Sequence, residues 1–149
     1  MLVVTHSLVG GLVASKISNP PLNPWLTSPL LFIFHFFLDW IPHWDLGIGF
    51  KKRSKIINFL LGGFDLAVAL IICWFIFQKN LPLNPWLWLG IFFSILPDLL
   101  EFPVLFLNWR IFPFSQIEIL HSHYFHRKAK FLVGILPQIV IILLVLLLK

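Results

Sequence analysis

Charged side chains are scarce in this sequence. Asp, Glu, Lys and Arg make up 11% of the 149 residues, hydrophobic residues make up 59%, and the mean hydropathy is +0.94. Roughly a quarter of the residues in a soluble domain are charged, so the composition excludes an ordinary water-soluble globule. The sequence instead predicts one integral membrane domain that spans residues 1–149.

The sequence also has only one cysteine and no basic region at its N-terminus. The single cysteine, Cys73, lies in an apolar run, which excludes a fold held together by disulfides. No Lys or Arg occurs in 1–6, so we expect no cleaved signal peptide. The formal net charge is +5, but most basic residues flank apolar segments. This placement predicts membrane lipids, and not nucleic acid, as their partners.

Apolar segments predict an all-α, polytopic membrane helix bundle of about five helices. They run approximately over 2–17, 26–41, 56–77, 86–107 and 131–148. The first two are short for a bilayer, which takes roughly 20 residues per helix. The remaining stretch, 108–130, is polar, aromatic and rich in histidine, so we expect a partly helical segment at the membrane surface.

An internal repeat divides the first two thirds of the chain. Pro-Leu-Asn-Pro-Trp-Leu occurs at 21–26 and again at 82–87, each time between two apolar segments. We interpret the repeat as a duplicated helical hairpin that covers roughly 1–50 and 56–107. The alternative is a turn shared for interfacial reasons, because Pro and Asn favour turns and Trp anchors at headgroup level.

The distribution of basic residues predicts the orientation of the chain. With five spans, the loop after the second helix and the segment after the fourth lie on the side of the N-terminus. That side would hold Lys51, Lys52, Arg53, Lys55, Arg110, Arg127, Lys128 and Lys130, and the other side Lys16, Lys79 and Lys149. The positive-inside rule therefore predicts a multi-pass protein of the cell (inner) membrane with a cytoplasmic N-terminus.

Imidazoles and carboxylates are predicted to converge near that same side of the bundle. His35 and Asp39 are four residues apart, so a helix places them on one face. The segment 121–126 adds three histidines. Polar pairs in apolar helices are costly and indicate a functional site. The predicted metal ligands are His6, His35, Asp39, His43, Asp65, Asp98, His121 and His126.

The ligand set predicts the kind of metal. Histidine and carboxylate donors without thiols suit Zn, Mn or Fe, and Zn is favoured here. The set is larger than one ion needs, so we expect one or two divalent ions, which could clamp a phosphate and activate a water. Glu101, His123 and Asp45 are the candidate general bases.

Structural interpretations of these residues stay open at this point. His35 and Asp39 could form an interhelical hydrogen bond without a metal. Asp98 could cap the helix that restarts after Pro97. The histidines of 121–126 could belong to a solvated surface loop.

Several of these residues resemble a known family. Thr5-His6, Leu-Pro-Asp at 96–98 and the two histidines of 121–126 resemble the small membrane-bound metal-dependent hydrolases of bacteria and archaea. That family is itself distantly similar to the zinc-dependent phospholipase C enzymes. It has an N-terminal His, a Pro-Asp-x-Asp-His motif, a His-Arg-Gly-x-Thr-His-Ser motif and a His-x3-Asp motif.

The resemblance implies functional residues one by one. His6 corresponds to the N-terminal histidine and Asp98 to the first Asp of Pro-Asp-x-Asp-His, where Leu100 and Glu101 stand in place of its second Asp and His. The remaining correspondences are His121 and His126 with the two histidines of the third motif, and His35 and Asp39 with His-x3-Asp, which here comes early in the chain.

Together these features predict a metal-dependent hydrolase that acts on a phosphate ester of a lipid or lipid-linked substrate. The substrate would reach the site from the inner leaflet. Two other functions are compatible with the sequence. One is a divalent-cation or proton transporter or channel, because chains of Asp and His in helices also mark ion pathways. The other is a structural membrane module, which would bind no metal tightly.

Overall fold

The computed structural model describes residues 1–17 and 24–149 and is all-helical over them, as predicted. The helices are α1 (Val3–Ile17), α2 (Pro24–Asp39), α3 (Lys55–Cys73), α4 (Pro85–Leu107), α5 (Phe114–Ile119) and α6 (Phe131–Leu148). Helix α3 continues into a π-helical turn, Trp74–Gln78, and α5 into another, Leu120–Phe125. A 3-10 turn covers Phe50–Lys52. Helix α5 lies in the segment predicted to be partly helical, and it is the element beyond the expected five.

Three helices in the described part of the chain are long and apolar enough to cross a membrane. They are Lys55–Gln78, Pro85–Leu107 and Phe131–Leu148. Helix α1 has 15 residues and the apolar stretch Thr27–Asp39 is also shorter than a span. The helices are therefore compatible with a membrane protein. Five crossings and a cytoplasmic N-terminus stay predictions.

Helix α1 lies at the centre of the bundle and packs against α2, α3, α4 and α6. Small residues let α1 and α4 approach closely. A Cβ added at Gly90 would lie 2.5 Å from Ala14 Cβ, and a Cβ added at Gly10 would overlap the Ser94 hydroxyl. Small residues at helix contacts are typical of membrane bundles, because lipid supplies no hydrophobic drive for association. The close contact between Gly10 and Ser94 therefore fixes the position of Ser94 along the axis of α4 relative to α1.

Substituting Gly10 by Ala tests this contact. We expect a loss of about 1–3 kcal/mol in the free energy of unfolding, since the added methyl group overpacks a close helix contact. The matched control is Gly63→Ala on α3, where a Cβ meets nothing within 4 Å and better helix propensity should stabilise the helix. Denaturant titration in detergent measures both. Equal effects in the two variants would contradict a close α1–α4 contact.

The two copies of the repeated hexapeptide precede equivalent helices. Pro24 begins α2 and Pro85 begins α4, and the Asn84 side chain caps α4 by accepting from the next amides. Residues 21–23 of the first copy lie outside the described residues. The Trp25 and Trp86 rings meet edge to face with centroids 5.5 Å apart, so both helices start at the same end of the bundle. The duplication itself stays an interpretation.

The loop after α2 is held in place by residues distant in sequence. His43 N–H donates to the Arg127 carbonyl (3.0 Å), and Ala129 N–H donates to the His43 carbonyl (2.8 Å). Trp44 N–H donates to the Gly134 carbonyl on α6 (3.1 Å), and a Cβ at Gly134 would overlap the Trp44 backbone. These bonds bring the loop after α2 against the segment after α5.

Gln138 on α6 joins this loop to α1. Its Oε1 accepts from Leu2 N–H (2.9 Å) and from the Thr5 hydroxyl (3.2 Å), and its Nε2 donates to the Trp44 carbonyl (2.7 Å). The Gln138→Leu variant would leave buried polar groups unpaired, which costs about 1–3 kcal/mol. Unfolding free energies should show this loss, whereas Gln116→Leu, at an exposed position, should change little. A similar loss in both variants would contradict the assigned role.

Candidate metal centre

Four predicted ligands from three helical segments meet in the interior of the bundle. His35 and Asp39 come from α2, Asp98 from α4 and His121 from the π-helical turn after α5. One ligand atom from each lies within 4.8 Å of all the others, and we call these four residues the first cluster. His35 Nε2 is 3.2 Å from Asp39 Oδ2, 3.6 Å from Asp98 Oδ1 and 3.3 Å from His121 Nε2.

The second ring nitrogen of each histidine in the first cluster has a protein acceptor. His35 Nδ1–H donates to the Ser94 carbonyl (2.8 Å), and His121 Nδ1–H donates to Glu101 Oε1 (2.7 Å). A carbonyl or carboxylate only accepts, so Nδ1 carries the proton and a neutral ring has its lone pair on Nε2. Both Nε2 atoms face carboxylate oxygens. Two hydrogen-bond acceptors can face each other only when a proton or a metal cation lies between them. Histidines that bind metals typically donate from their other ring nitrogen to a protein acceptor, as Nδ1 does here in His35 and His121.

A second cluster lies where the loop after α2 meets the segment after α5. It comprises His43, Asp45 and His126, whose ligand atoms also lie within 4.8 Å of one another. His43 Nε2 is 3.3 Å from Asp45 Oδ2, and its Nδ1–H donates to the Ile41 carbonyl (2.8 Å). His126 Nε2 hydrogen-bonds the same Asp45 oxygen. The second cluster therefore repeats the pattern of a carboxylate with an imidazole oriented through its other nitrogen.

Asp39 faces both clusters and is fully buried. Its Oδ2 contacts His35 and His121 of the first cluster. Its Oδ1 is 3.7 Å from His43 Nε2 of the second cluster, and it also contacts His6 Nε2 (3.1 Å) and the Met1 amino group. Asp39 is therefore the residue that links the two clusters.

The other predicted ligands lie near the clusters but outside them. Asp65 Oδ2 accepts from the Val3 N–H (3.0 Å), so it caps the first turn of α1. The His6 ring stacks on His35 with centroids 3.9 Å apart, and within the described residues its buried Nδ1 has no hydrogen-bond partner.

The three candidate bases have different environments. Asp45 and Glu101 line a polar cavity of about 190 Å³ that also reaches Asp98, His121 and His126. Glu101 orients His121 through its Nδ1, whereas His123 is exposed and lies outside both clusters. Sequence reasoning missed the Ser94 and Ile41 carbonyls, because every residue carries a backbone carbonyl and no side chain marks the ones that orient a histidine.

Charge favours a cation at these clusters. Burial opposes protonation of His121, but hydrogen bonds to Asp39 and Glu101 outweigh burial and raise its pKa to about 10. Burial opposes ionisation of Asp45, yet hydrogen bonds from His126 and His43 hold its pKa well below the usual range. Burial lowers the pKa of His126 despite its bond to Asp45. The carboxylates around these histidines therefore favour a positive charge there, which a protonated imidazole or a metal cation can carry.

No family model, no curated protein and no solved structure matches this chain. The resemblance to membrane-bound hydrolases accordingly rests on the motifs alone, and function has to be inferred from the geometry of the two clusters.

Proposed function

We propose that this chain is a metal-dependent membrane hydrolase that cleaves a phosphate ester of a lipid or lipid-linked substrate. One observation carries the proposal. His35 and His121 have Nδ1 bound to protein acceptors, and their Nε2 atoms converge with the carboxylates of Asp39 and Asp98. Protons on the Nε2 atoms would satisfy the same oxygens in a purely structural network, so metal content is the property that separates the two functions.

One or two divalent ions would use these ligands. The first cluster supplies two imidazoles and two carboxylates to one ion. The second cluster would offer two imidazoles and Asp45 to another ion. Nitrogen and oxygen donors without thiolate suit Zn, and also Mn or Fe. Such an ion lowers the pKa of a bound water and polarises a phosphoryl oxygen.

Residues around the clusters would bind the phosphate group and orient the ligands. The polar cavity beside both clusters offers room for a phosphate group. Asp45 lines it and stays ionised, which suits the role of metal ligand that the second cluster gives it. Glu101 acts as a positioning residue, because its contact with the site runs through His121 Nδ1. His123 is exposed and lies outside both clusters, so we assign it no role in the proposed reaction.

Metal content and phosphate release test the proposal together. Protein purified in detergent should contain close to stoichiometric Zn, Mn or Fe by elemental analysis. It should release phosphate from phosphatidic acid or from p-nitrophenyl phosphate, and a chelator or His35→Ala should abolish that release. Metal-free protein with unchanged stability in His35→Ala would favour a structural module. Divalent-ion flux into liposomes without any phosphate release would favour a transporter.

A further inference from the structure

A second, apolar cavity lies between two of the helices that are long enough to cross a membrane. Helices α3 and α4 each pack on α1, and a cavity of about 350 Å³ lies between them. Its walls are mostly aromatic and aliphatic: Phe59, Leu66, Ile95, Leu99, Phe102 and Phe106. A cavity of this size is in the range of small-molecule sites, and its lining suits hydrocarbon.

The apolar cavity adjoins the polar one. Val3, Asn58, Gly62 and Asp98 line both cavities. Asp98 also belongs to the first cluster, so the apolar cavity lies beside the candidate metal centre. An occupant that filled both cavities would therefore need a hydrocarbon part and a polar end.

Two adjacent glycines keep this space open. A Cβ added at Gly62 or at Gly63 would meet nothing within 4 Å, and both positions lie inside α3. Glycine in a helix interior is less stable than alanine, because it loses more backbone entropy on folding. Packing does not require glycine at either position, so the pair leaves the wall of the apolar cavity without side chains at a cost in helix stability.

Basic residues stand beside the cavities. Lys51 and Lys52 are exposed on the 3-10 turn. Arg53 Nε donates to the Asn58 side chain (2.9 Å), and Lys55 Nζ donates to the Phe106 carbonyl (2.9 Å). Asn58 and Phe106 both line the apolar cavity. These four cations would attract an anionic lipid headgroup.

We propose that the apolar cavity holds one hydrocarbon chain of an anionic membrane amphiphile whose phosphate lies in the polar cavity. The identity of the headgroup rests on the proposed function, whereas the chain site rests on the cavity itself. The occupant enters laterally between α3 and α4. The phosphate end of the occupant lies at Asp98 and the first cluster. Because the apolar cavity binds the hydrocarbon chain, the proposed hydrolase prefers phosphate esters that carry a long chain.

Photo-cross-linking tests the chain site independently of catalysis. The protein is reconstituted in phosphatidylcholine vesicles that contain phosphatidic acid with a diazirine in one acyl chain. We expect cross-links on α3 and α4 around the cavity walls. Gly63→Leu should reduce them about tenfold, because the leucine fills space that buried methylene groups would otherwise occupy. The matched control is Ala67→Leu, an exposed position on the same helix that lines neither cavity, and it should change nothing.

Several outcomes would overturn the chain site. Cross-links spread over all lipid-facing helices, or unaffected by Gly63→Leu, would show no specific chain site. Equal labelling by phosphatidylcholine that carries the same diazirine would show that the headgroup charge plays no part.

Hydrolysis separates failure of this inference from failure of the proposed function. In Gly63→Leu we expect kcat/KM for phosphatidic acid to fall about tenfold, while kcat/KM for p-nitrophenyl phosphate, which has no chain, stays within about twofold. A parallel loss for both esters at unchanged metal content would overturn the chain site. Specific cross-links in a protein that hydrolyses neither ester would support the chain site and contradict the hydrolase.

Discussion

Divalent-metal binding should be lost when Asp39 is replaced by Asn. Asp39 faces both clusters, with Oδ2 at His35 and His121 and Oδ1 at His43. Asparagine keeps the size of the side chain but removes its charge and one acceptor oxygen. Loss of an outer partner alone typically weakens metal affinity 10- to 100-fold, so we expect loss of this shared ligand to weaken it by more than about 100-fold. Isothermal titration of Zn into the chelator-treated, detergent-solubilised protein measures the effect.

The control for this variant is Glu118→Gln. Glu118 is the one acidic residue of the chain that belongs to neither the clusters nor the cavities described above, and its substitution makes the same chemical change. It should leave Zn affinity within about twofold. Zn binding by Asp39→Asn that equals the unmutated protein would contradict a metal centre at these clusters and favour a proton-filled His–Asp network.

Removal of the metal should destabilise the bundle strongly. The first cluster joins α2, α4 and the turn after α5, and two of its members are carboxylates. A ligand bound only by the folded state stabilises it by about 4 kcal/mol when its free concentration is 1,000 times its Kd. When the free metal concentration is buffered at about 1,000 times its Kd, we therefore expect excess chelator to lower the unfolding free energy by about 4 kcal/mol. Denaturant titrations with and without the chelator give the difference directly.

A variant with one ligand of the first cluster removed supplies the control for that comparison. In Asp98→Asn the cluster loses one carboxylate and keeps the rest of the bundle, so the chelator should change its stability much less. Glu118→Gln should respond to the chelator like the unmutated protein. A chelator response that is absent in all three proteins would indicate that protons, and not metal ions, neutralise the clusters.

Part of the site could be predicted from local spacing. The separation of His35 and Asp39 is enough to place both on one helical face, whatever the rest of the chain does. The apolar segments likewise predicted an all-helical chain, because the periodicity and length of such runs are local properties. We predicted that Asp98 and His121 would lie near this pair, because ionisable side chains near one end of a membrane bundle tend to pair with one another.

Other parts depended on contacts between distant residues. Asp65 was predicted as a ligand, and the structure shows it accepting from the Val3 amide. Glu101 was predicted as a general base, and it lies against His121 Nδ1. The sequence carries no signal for either role, because a carboxylate on a helix looks the same whether it faces a metal, an amide or an imidazole.

By itself, the sequence determined that this chain is helical and strongly apolar, and that it pairs His35 with Asp39. Only the tertiary structure decided that Asp39 faces two clusters at once and that Asp98 lines an apolar cavity. The physical reason is the distance along the sequence over which each property is determined. Helix formation and hydropathy depend on neighbours along the chain, whereas the direction of a carboxylate oxygen and the gap between two helices depend on packing around α1.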